Sequence, residues 1–335
     1  MRTLTFVAGA VALSLMLAAC QPPPPSAEAT AEAARIRQAQ DAFANEQQAW
    51  RDQRRSDLTR AEGWTSLVGL HWLDPGAHYL GSAADNGIRL AMGPAHLGMI
   101  ELKPGRLRFV PEKGVALTLD GAPLVGSVSL RADDDPAGPG KLAFDDGKGV
   151  ITVIKRGERH ALRVKHADAP TRTRFKGIDY WPAAVDWRVP GRFVPHPPGR
   201  TLAIANIIGT TDDVPNPGAV EFERDGKTYR IEALDEGDGG LFLVFADRTN
   251  GHGSYGAGRF LDAAKPDAHG RVALDFNRAY NPPCAFTPFA TCPLPPAENR
   301  LDLAIDAGEK SYHPATTETP TPKARTPKVE VAGKG

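Results

Sequence analysis

Proline and glycine interrupt this chain too often for helix to be its main element. Pro removes a backbone donor and Gly weakens a helix interior, and the 335 residues hold 30 prolines and 34 glycines. Between these breaks lie short apolar or alternating runs, the pattern of strands joined by tight turns. One long stretch escapes. Residues 31–60 are rich in Ala, Glu, Gln and Arg and contain neither breaker, which predicts a helix over 31–62 ended by Gly63. Ile36, Phe43 and Trp50 recur at every seventh position with Ala39 between them. Such a narrow stripe either docks on the rest of the chain, the preferred reading, or pairs with a second copy.

From Gly63 to Asp168 the runs read as one β-rich unit. Met99–Leu102 and Leu107–Val110 flank Pro104-Gly105, Val115–Leu119 leads into Asp120-Gly121, and Leu142–Phe144, Val150–Ile154 and Leu162–Val164 are strand-like. A second β-rich unit spans 169–312. Within it Thr201–Ile208 reads as a buried strand and Leu241–Phe245 as a central one, with further strands at Val272–Phe276 and Leu301–Ile305. Asp225-Gly226 suits a two-residue type I′ turn. That register sets Phe222 opposite Tyr229, Val220 opposite Ile231, and Glu221 opposite Arg230. The expected fold class is therefore mainly β: two β-rich units, the second an antiparallel sheet or barrel-like, preceded by an N-terminal helix.

Residues 1–20 read as a lipoprotein signal peptide. Arg2 supplies the positive region, Leu4–Leu17 is apolar, and Leu17-Ala18-Ala19-Cys20 resembles a lipobox. The apolar stretch fits a secretory signal of about 7–15 residues and falls short of the about 20 that a spanning helix needs. Cys20 is then the lipid-attachment residue, and the membrane is a partner through that anchor. Gln21, which is not Asp, points to the periplasmic face of the outer membrane. Residues 21–30 read as a Pro/Ala-rich disordered tether, and 313–335, rich in Thr, Pro and Lys, as a disordered tail.

Lys plus Arg and Asp plus Glu number 40 each, a formal net charge of zero. No long-range attraction to nucleic acid follows from that balance. No Cys-x-x-Cys, His-x-His or His-Glu-x-x-His occurs, so no metal site is expected. A phosphate loop and a Gly-x-Ser-x-Gly elbow are also missing, and no cofactor is expected. Once Cys20 is committed to lipid, Cys284 and Cys292 remain as a pair in an oxidising compartment, which favours a disulfide. Unpaired thiols, a catalytic Cys and a metal ligand are the alternatives.

Chemistry-bearing residues concentrate in the second unit. Asp247 directly follows an apolar strand, and Tyr255, Arg259, Asp275, Asn277, Tyr280 and Asn281 come after it. If Val272–Asn277 is a strand, Asp275 and Asn277 share one face. Polar groups on a face expected to be core need partners, so the cluster is either structural glue or a ligand site.

Several strings carry a resemblance. GWTSLVGLHWLDPGAHYLGS, IKRGERHALRVKHADAP, GAGRFLD and LDFNRAYNPPCAFTPFATCPLPPAENRLDLAIDAGEK resemble the bacterial family known as domain of unknown function 1684, over roughly 49–312. That family brings no activity to carry over. The first half also resembles, more weakly, a forkhead-associated sandwich, through Leu80-Gly81-Ser82, Asp85–Leu90 and Leu119–Leu124. Ser82 stands where such domains carry an Arg for phosphothreonine, and Ala95-His96-Leu97-Gly98 replaces their Ser-Arg-x-His. The resemblance therefore implies the sandwich without phosphopeptide reading.

Two functions fit. The preferred one is a non-enzymatic envelope module that binds a small molecule, glycan or protein through Asp247, Tyr255, Arg259, Asp275, Asn277, Tyr280 and Asn281. The other is a periplasmic hydrolase using Asp247 or Asp275 with Tyr255, Arg259 and His252. A concave pocket holding a carboxylate and a second titratable group within about 3 Å would favour the enzyme.

Overall fold

In the computed structural model, which describes residues 26–313 apart from 236 and 238, the breaker-free stretch is a helix, Ala27–Thr59. It starts earlier than the composition predicts. Ser26 Oγ accepts from Ala29 N at 3.2 Å, as a capping serine does. Gly63 follows the helix because nothing larger fits there: a Cβ at that position would lie 2.4 Å from the Leu58 carbonyl oxygen. The chain divides within this helix into Met1–Glu46 and Gln47–Gly335. In the first unit the described residues after Ser26 are all helical, and Ile36 is 50% exposed. In the second unit the stripe residue Trp50 meets Tyr180 edge-on, with ring centroids 6.4 Å apart. The signal peptide, Cys20, residues 21–25 of the tether and 314–335 of the tail lie outside the described residues.

Two sheets share a core between Leu73 and Val164. One has six strands, in the order Leu67–Trp72, Arg159–His166, Gly149–Arg156, Leu142–Phe144, Thr118–Leu119, Ala122–Pro123. The other has five, in the order Ile88–Arg89, Gly76–Gly81, Gly98–Lys103, Arg106–Pro111, Val128–Ser129. Ile100 and Phe109 from one sheet and Ile151 and Leu162 from the other are buried in that core.

A second core, from Val189 to Ala307, is built on a four-stranded antiparallel sheet. Its order is Lys227–Ala233, Gly218–Arg224, Arg188–Pro195, Arg271–Asp275. The central hairpin has the expected register, Phe222 opposite Tyr229, Val220 opposite Ile231 and Glu221 opposite Arg230. Its turn residues Asp225 and Gly226 sit at φ 52° and 73°, the positive values a type I′ turn requires. Two ribbons pair separately, Thr201–Ala205 with Thr211–Pro215 and Gly240–Phe245 with Arg259–Ala264. Apart from the parallel pairing of Gly76–Gly81 with Ile88–Arg89, the described strands pair antiparallel, and they form no closed barrel.

Three segments differ from expectation. The Thr201–Ala205 strand is largely exposed, with Ile204 its one buried residue. Arg271–Asp275 ends one residue before Phe276, where a 3-10 turn, Phe276–Arg278, takes over. Leu301, Leu303 and Ile305 are buried at alternate positions as strand residues would be, yet 301–305 joins no ladder. Alternation reports which side chains are buried, not what the backbone pairs with.

Candidate functional site

The sequence-predicted cluster folds into two buried polar networks, in which Arg259 Nε and Asn281 Oδ1 find no hydrogen-bond partner. In the first, Asp247 follows the apolar Gly240–Phe245 strand. Its Oδ1 accepts from Thr249 N at 2.8 Å, Thr249 Oγ1 at 2.6 Å and Ile305 N at 3.3 Å. Its Oδ2 accepts from Arg259 Nη2 at 2.7 Å. Arg259 also donates to the carbonyls of Ile305, at 2.9 Å, and Ala307. Both side chains of the Asp247–Arg259 pair are 0% exposed. These bonds secure the ladder-free 301–307 segment to the core. Ser254 extends the network, accepting from Thr249 Oγ1 at 2.8 Å and from Trp181 Nε1 at 3.3 Å.

Asp275 organises the second network. Its Oδ1 caps the following turn, accepting from Asn277 N at 3.2 Å and Asn277 Nδ2 at 2.8 Å. Its Oδ2 accepts from Arg188 Nη2 at 2.9 Å and Gln47 Nε2 at 2.8 Å. Asn277 is fully buried and bonds the Ala184 backbone in both directions, at 2.9 and 2.8 Å. So Asp275 and Asn277 do meet, but by capping rather than on one strand face. Asn281, also fully buried, donates from N to Glu309 Oε2 at 2.7 Å and from Nδ2 to Lys310 O at 2.7 Å. Its carbonyl accepts from Arg54 Nη2 at 2.8 Å.

The hydrolase constellation is not assembled. His252 is exposed. Tyr255 is half-buried, and burial pushes its phenol above the ordinary value. The hydrogen bonds of Asp247 and Asp275 described above go to other residues, so no base–nucleophile contact forms among these four. No three His, Cys, Asp or Glu side chains gather as a metal site among the described residues.

Of the predicted ligand residues, Tyr280 borders a cavity of ≈ 560 Å³. The helix supplies Trp50, Gln53, Arg54 and Asp57 to its wall. Trp64, Arg156 and Arg163 come from the six-stranded-sheet side. Phe242, Phe260, Asp262 and Tyr280 face them, and the Pro-rich segment from Pro283 to Pro293 closes the rest. In that segment Cys284 and Cys292 stand at disulfide distance, with Cα atoms 6.2 Å apart.

The three arginines differ in their partners. Arg54 donates from Nε to Glu309 Oε1 at 2.8 Å and lies over the Tyr280 ring, 4.5 Å from its centroid. Burial opposes its charge, and Glu309 outweighs burial, so its pKa stays above the ordinary value. Arg156 donates from Nη1 to Asp133 Oδ2 at 2.8 Å and from Nε to Thr291 Oγ1 at 3.3 Å. Arg163 has no hydrogen-bond or ion-pair partner among the described residues, and its Nε is buried without an acceptor. It lies 5.4 Å from the Trp64 ring centroid. Burial, reinforced by the charge of Arg156, pushes its pKa down to about 10.

Trp64, Arg156 and Arg163 are not among the residues that composition and spacing single out. On the Arg159–His166 strand, Leu162 and Val164 enter the core, so Arg163 reads as an ordinary solvent-facing residue. The available signal is Ile154, which is even in position with Thr152 and Arg156 on its strand and is 1% exposed. An apolar residue on the polar side of a strand marks a sheet face that something covers.

Residues 173–310 match the model of a family described as protein of unknown function (DUF1684). The match does not reach the first half, where the forkhead-associated likeness is not confirmed. No curated protein matches the chain. Among solved structures, the chain is similar to an uncharacterized protein from gene locus rrnAC0354 of Haloarcula marismortui. Identity is 29%, coverage is 42% of this chain and 78% of that one, and the TM-score is 0.35.

Proposed function

We propose that this chain, which carries the DUF1684 domain over residues 173–310, is a non-enzymatic envelope module that binds a small molecule in the cavity bordered by Trp64, Arg163 and Tyr280. The observation that carries this reading is the contrast within the candidate set. Asp247, Arg259, Asp275, Asn277 and Asn281 spend most of their polar groups on one another, on backbone and on neighbouring side chains, leaving only Arg259 Nε and Asn281 Oδ1 among them buried without a partner. The cavity meanwhile keeps aromatic walls and an arginine without a partner. A ligand-sized hollow of about 300–1,000 Å³ lined by apolar groups with a few polar ones is the usual form of a small-molecule site. A thermal-shift screen tests it. Compounds that raise Tm by mass action should lose that effect in Thr291→Trp, which fills the cavity away from both polar networks. A shift that survives Thr291→Trp places the binding elsewhere and overturns the reading.

The envelope part of the proposal rests on Leu17–Gln21, with Cys20 as the lipidated residue and the periplasmic face of the outer membrane as its place. Cys20→Ser should abolish labelling by radioactive palmitate and release the protein from membranes. Unchanged fractionation would refute the anchor.

One observation favours a second reading, a hydrolase at the same cavity: Tyr280 Oη donates to Asp262 Oδ1 at 3.2 Å on its wall. Ester or amide turnover abolished by both Asp262→Asn and Tyr280→Phe would support it; turnover retained by either variant would not.

A further inference from the structure

We infer that the occupant of this cavity is an organic monoanion, a carboxylate carried on a planar aromatic body and held by Arg163. The inference rests on the cavity being a binding site, and it names the chemistry that site selects.

Among the cations that line the cavity, Arg163 alone has no hydrogen-bond or ion-pair partner among the described residues. Arg54 is matched by Glu309 and Arg156 by Asp133. Of the lining carboxylates, Asp57 pairs with Arg60 at 3.6 Å, and Asp262 accepts the Tyr280 hydroxyl. Arg163 makes no such contact and stands beside the further positive charges of Arg156 and Lys165. A guanidinium is a planar fork of donors whose geometry matches a carboxylate, and charge-assisted pairs of this kind are the strong hydrogen bonds. An incoming carboxylate would give Arg163 the acceptor it lacks. Its lowered pKa is a measure of how poorly the protein alone solvates that charge.

One unpartnered guanidinium suits one negative charge, and Asp262 on the same lining weighs against a second. A phosphomonoester, which carries nearly two charges at neutral pH, would leave the second unmatched. The body of the ligand is set by the walls. Trp50, Trp64, Phe242, Phe260 and Tyr280 line the cavity, and planar rings pack against aromatic walls at little conformational cost.

The test uses the full chain, read by tryptophan fluorescence and calorimetry, with three probes of the same planar body: naphthalene-2-carboxylate, 2-naphthalenemethanol and 2-naphthyl phosphate. The carboxylate should bind about ten-fold more tightly than the alcohol and more tightly than the phosphate. Arg163→Met should bring the carboxylate down to the alcohol while leaving the alcohol's affinity within about two-fold. Arg163→Lys should restore part of the difference. Equal binding of carboxylate and alcohol by the native chain, with both lost in Thr291→Trp, would overturn the anionic class and leave the cavity reading standing. Tighter binding of the phosphate would overturn the monoanion. Binding of none of the three would overturn both the class and the cavity.

Discussion

Arginine appears in this protein under two opposite conditions, and the contrast separates structure from function. Arg259 is sealed in the core with Asp247 and three further acceptors. Removing one member of a buried ion pair strands the other, so Arg259→Met should cost about 3–5 kcal/mol in urea unfolding; a loss under about 1 kcal/mol would refute the structural role. Arg163 is the reverse. Folding depresses its pKa from the ordinary guanidinium value to about 10, so the folded state binds that proton less well than the unfolded chain. The penalty is therefore present below pH 10 and is relieved as pH rises through that value. Arg163→Met removes it at neutral pH and should raise the stability of the ligand-free protein by roughly 1 kcal/mol; a fall in Tm would contradict this. A residue kept at a cost to stability is what a binding role leaves behind. The sequence shows that Asp247, Arg259, Asp275 and Asn277 belong together. It does not show that their hydrogen bonds are already spent, because spacing identifies neighbours and not how many acceptors each finds. Arg163 stays hidden for the complementary reason: an arginine alternating with core residues looks the same whether it faces bulk water or a lined cavity.

At the scale of elements, local turn chemistry is the legible part. Asp225-Gly226 sets the hairpin register through all seven pairs from Gly218–Ala233 to Arg224–Lys227. Nothing lies within 4 Å of a Cβ built at Gly226, where φ is 73°. Gly226→Ala should therefore cost only the conformational penalty, about 1 kcal/mol, and a neutral result would argue against the I′ turn. The same hairpin ends in a buried polar group. Glu232 Oε2 meets His196 Nε2 at 2.6 Å, and Oε1 accepts from Arg230 Nε at 3.1 Å. Burial works to raise the Glu232 pKa, but these partners prevail and hold it below the ordinary glutamate value of 4.5. Its stabilising contribution is thus intact above pH 4.5 and is lost as pH falls through the lower folded value. Glu232→Gln should flatten the acid limb of the Tm–pH curve, and an unchanged limb would sink this assignment. Long-range pairing was not legible. Thr201–Ala205 lies in an exposed ribbon, and 301–305 is held by Asp247, Arg248, Ala246 and Arg259 rather than by a neighbouring strand. For 301–305 the deciding contacts come from residues far away in the chain, whereas Thr201–Ala205 pairs locally with Thr211–Pro215 and it is its exposure that the apolar run conceals.

At the scale of the whole molecule, the β-rich stretch 169–312 and the two-sheet body between Leu73 and Val164 both contribute walls to the cavity, with the helix beyond Gln47 as a third. No single segment contains the site, which is why motif reading settles on the dense Asp247–Asn281 stretch and touches the cavity only at Tyr280. Four of the five tryptophans sample both possibilities. Trp50 and Trp64 line the cavity. Trp181 donates to Ser254 in the Asp247 network, and Trp187 packs edge-on against Phe276, with centroids 6.1 Å apart, beside the Asp275 network. Indole N–H resonances in a ¹⁵N-labelled sample titrated with naphthalene-2-carboxylate therefore test the central claim most directly. The account predicts that the Trp50 and Trp64 signals shift while Trp181 and Trp187 stay in place. Shifts confined to Trp181 and Trp187 would contradict it and return the site to the buried polar cluster.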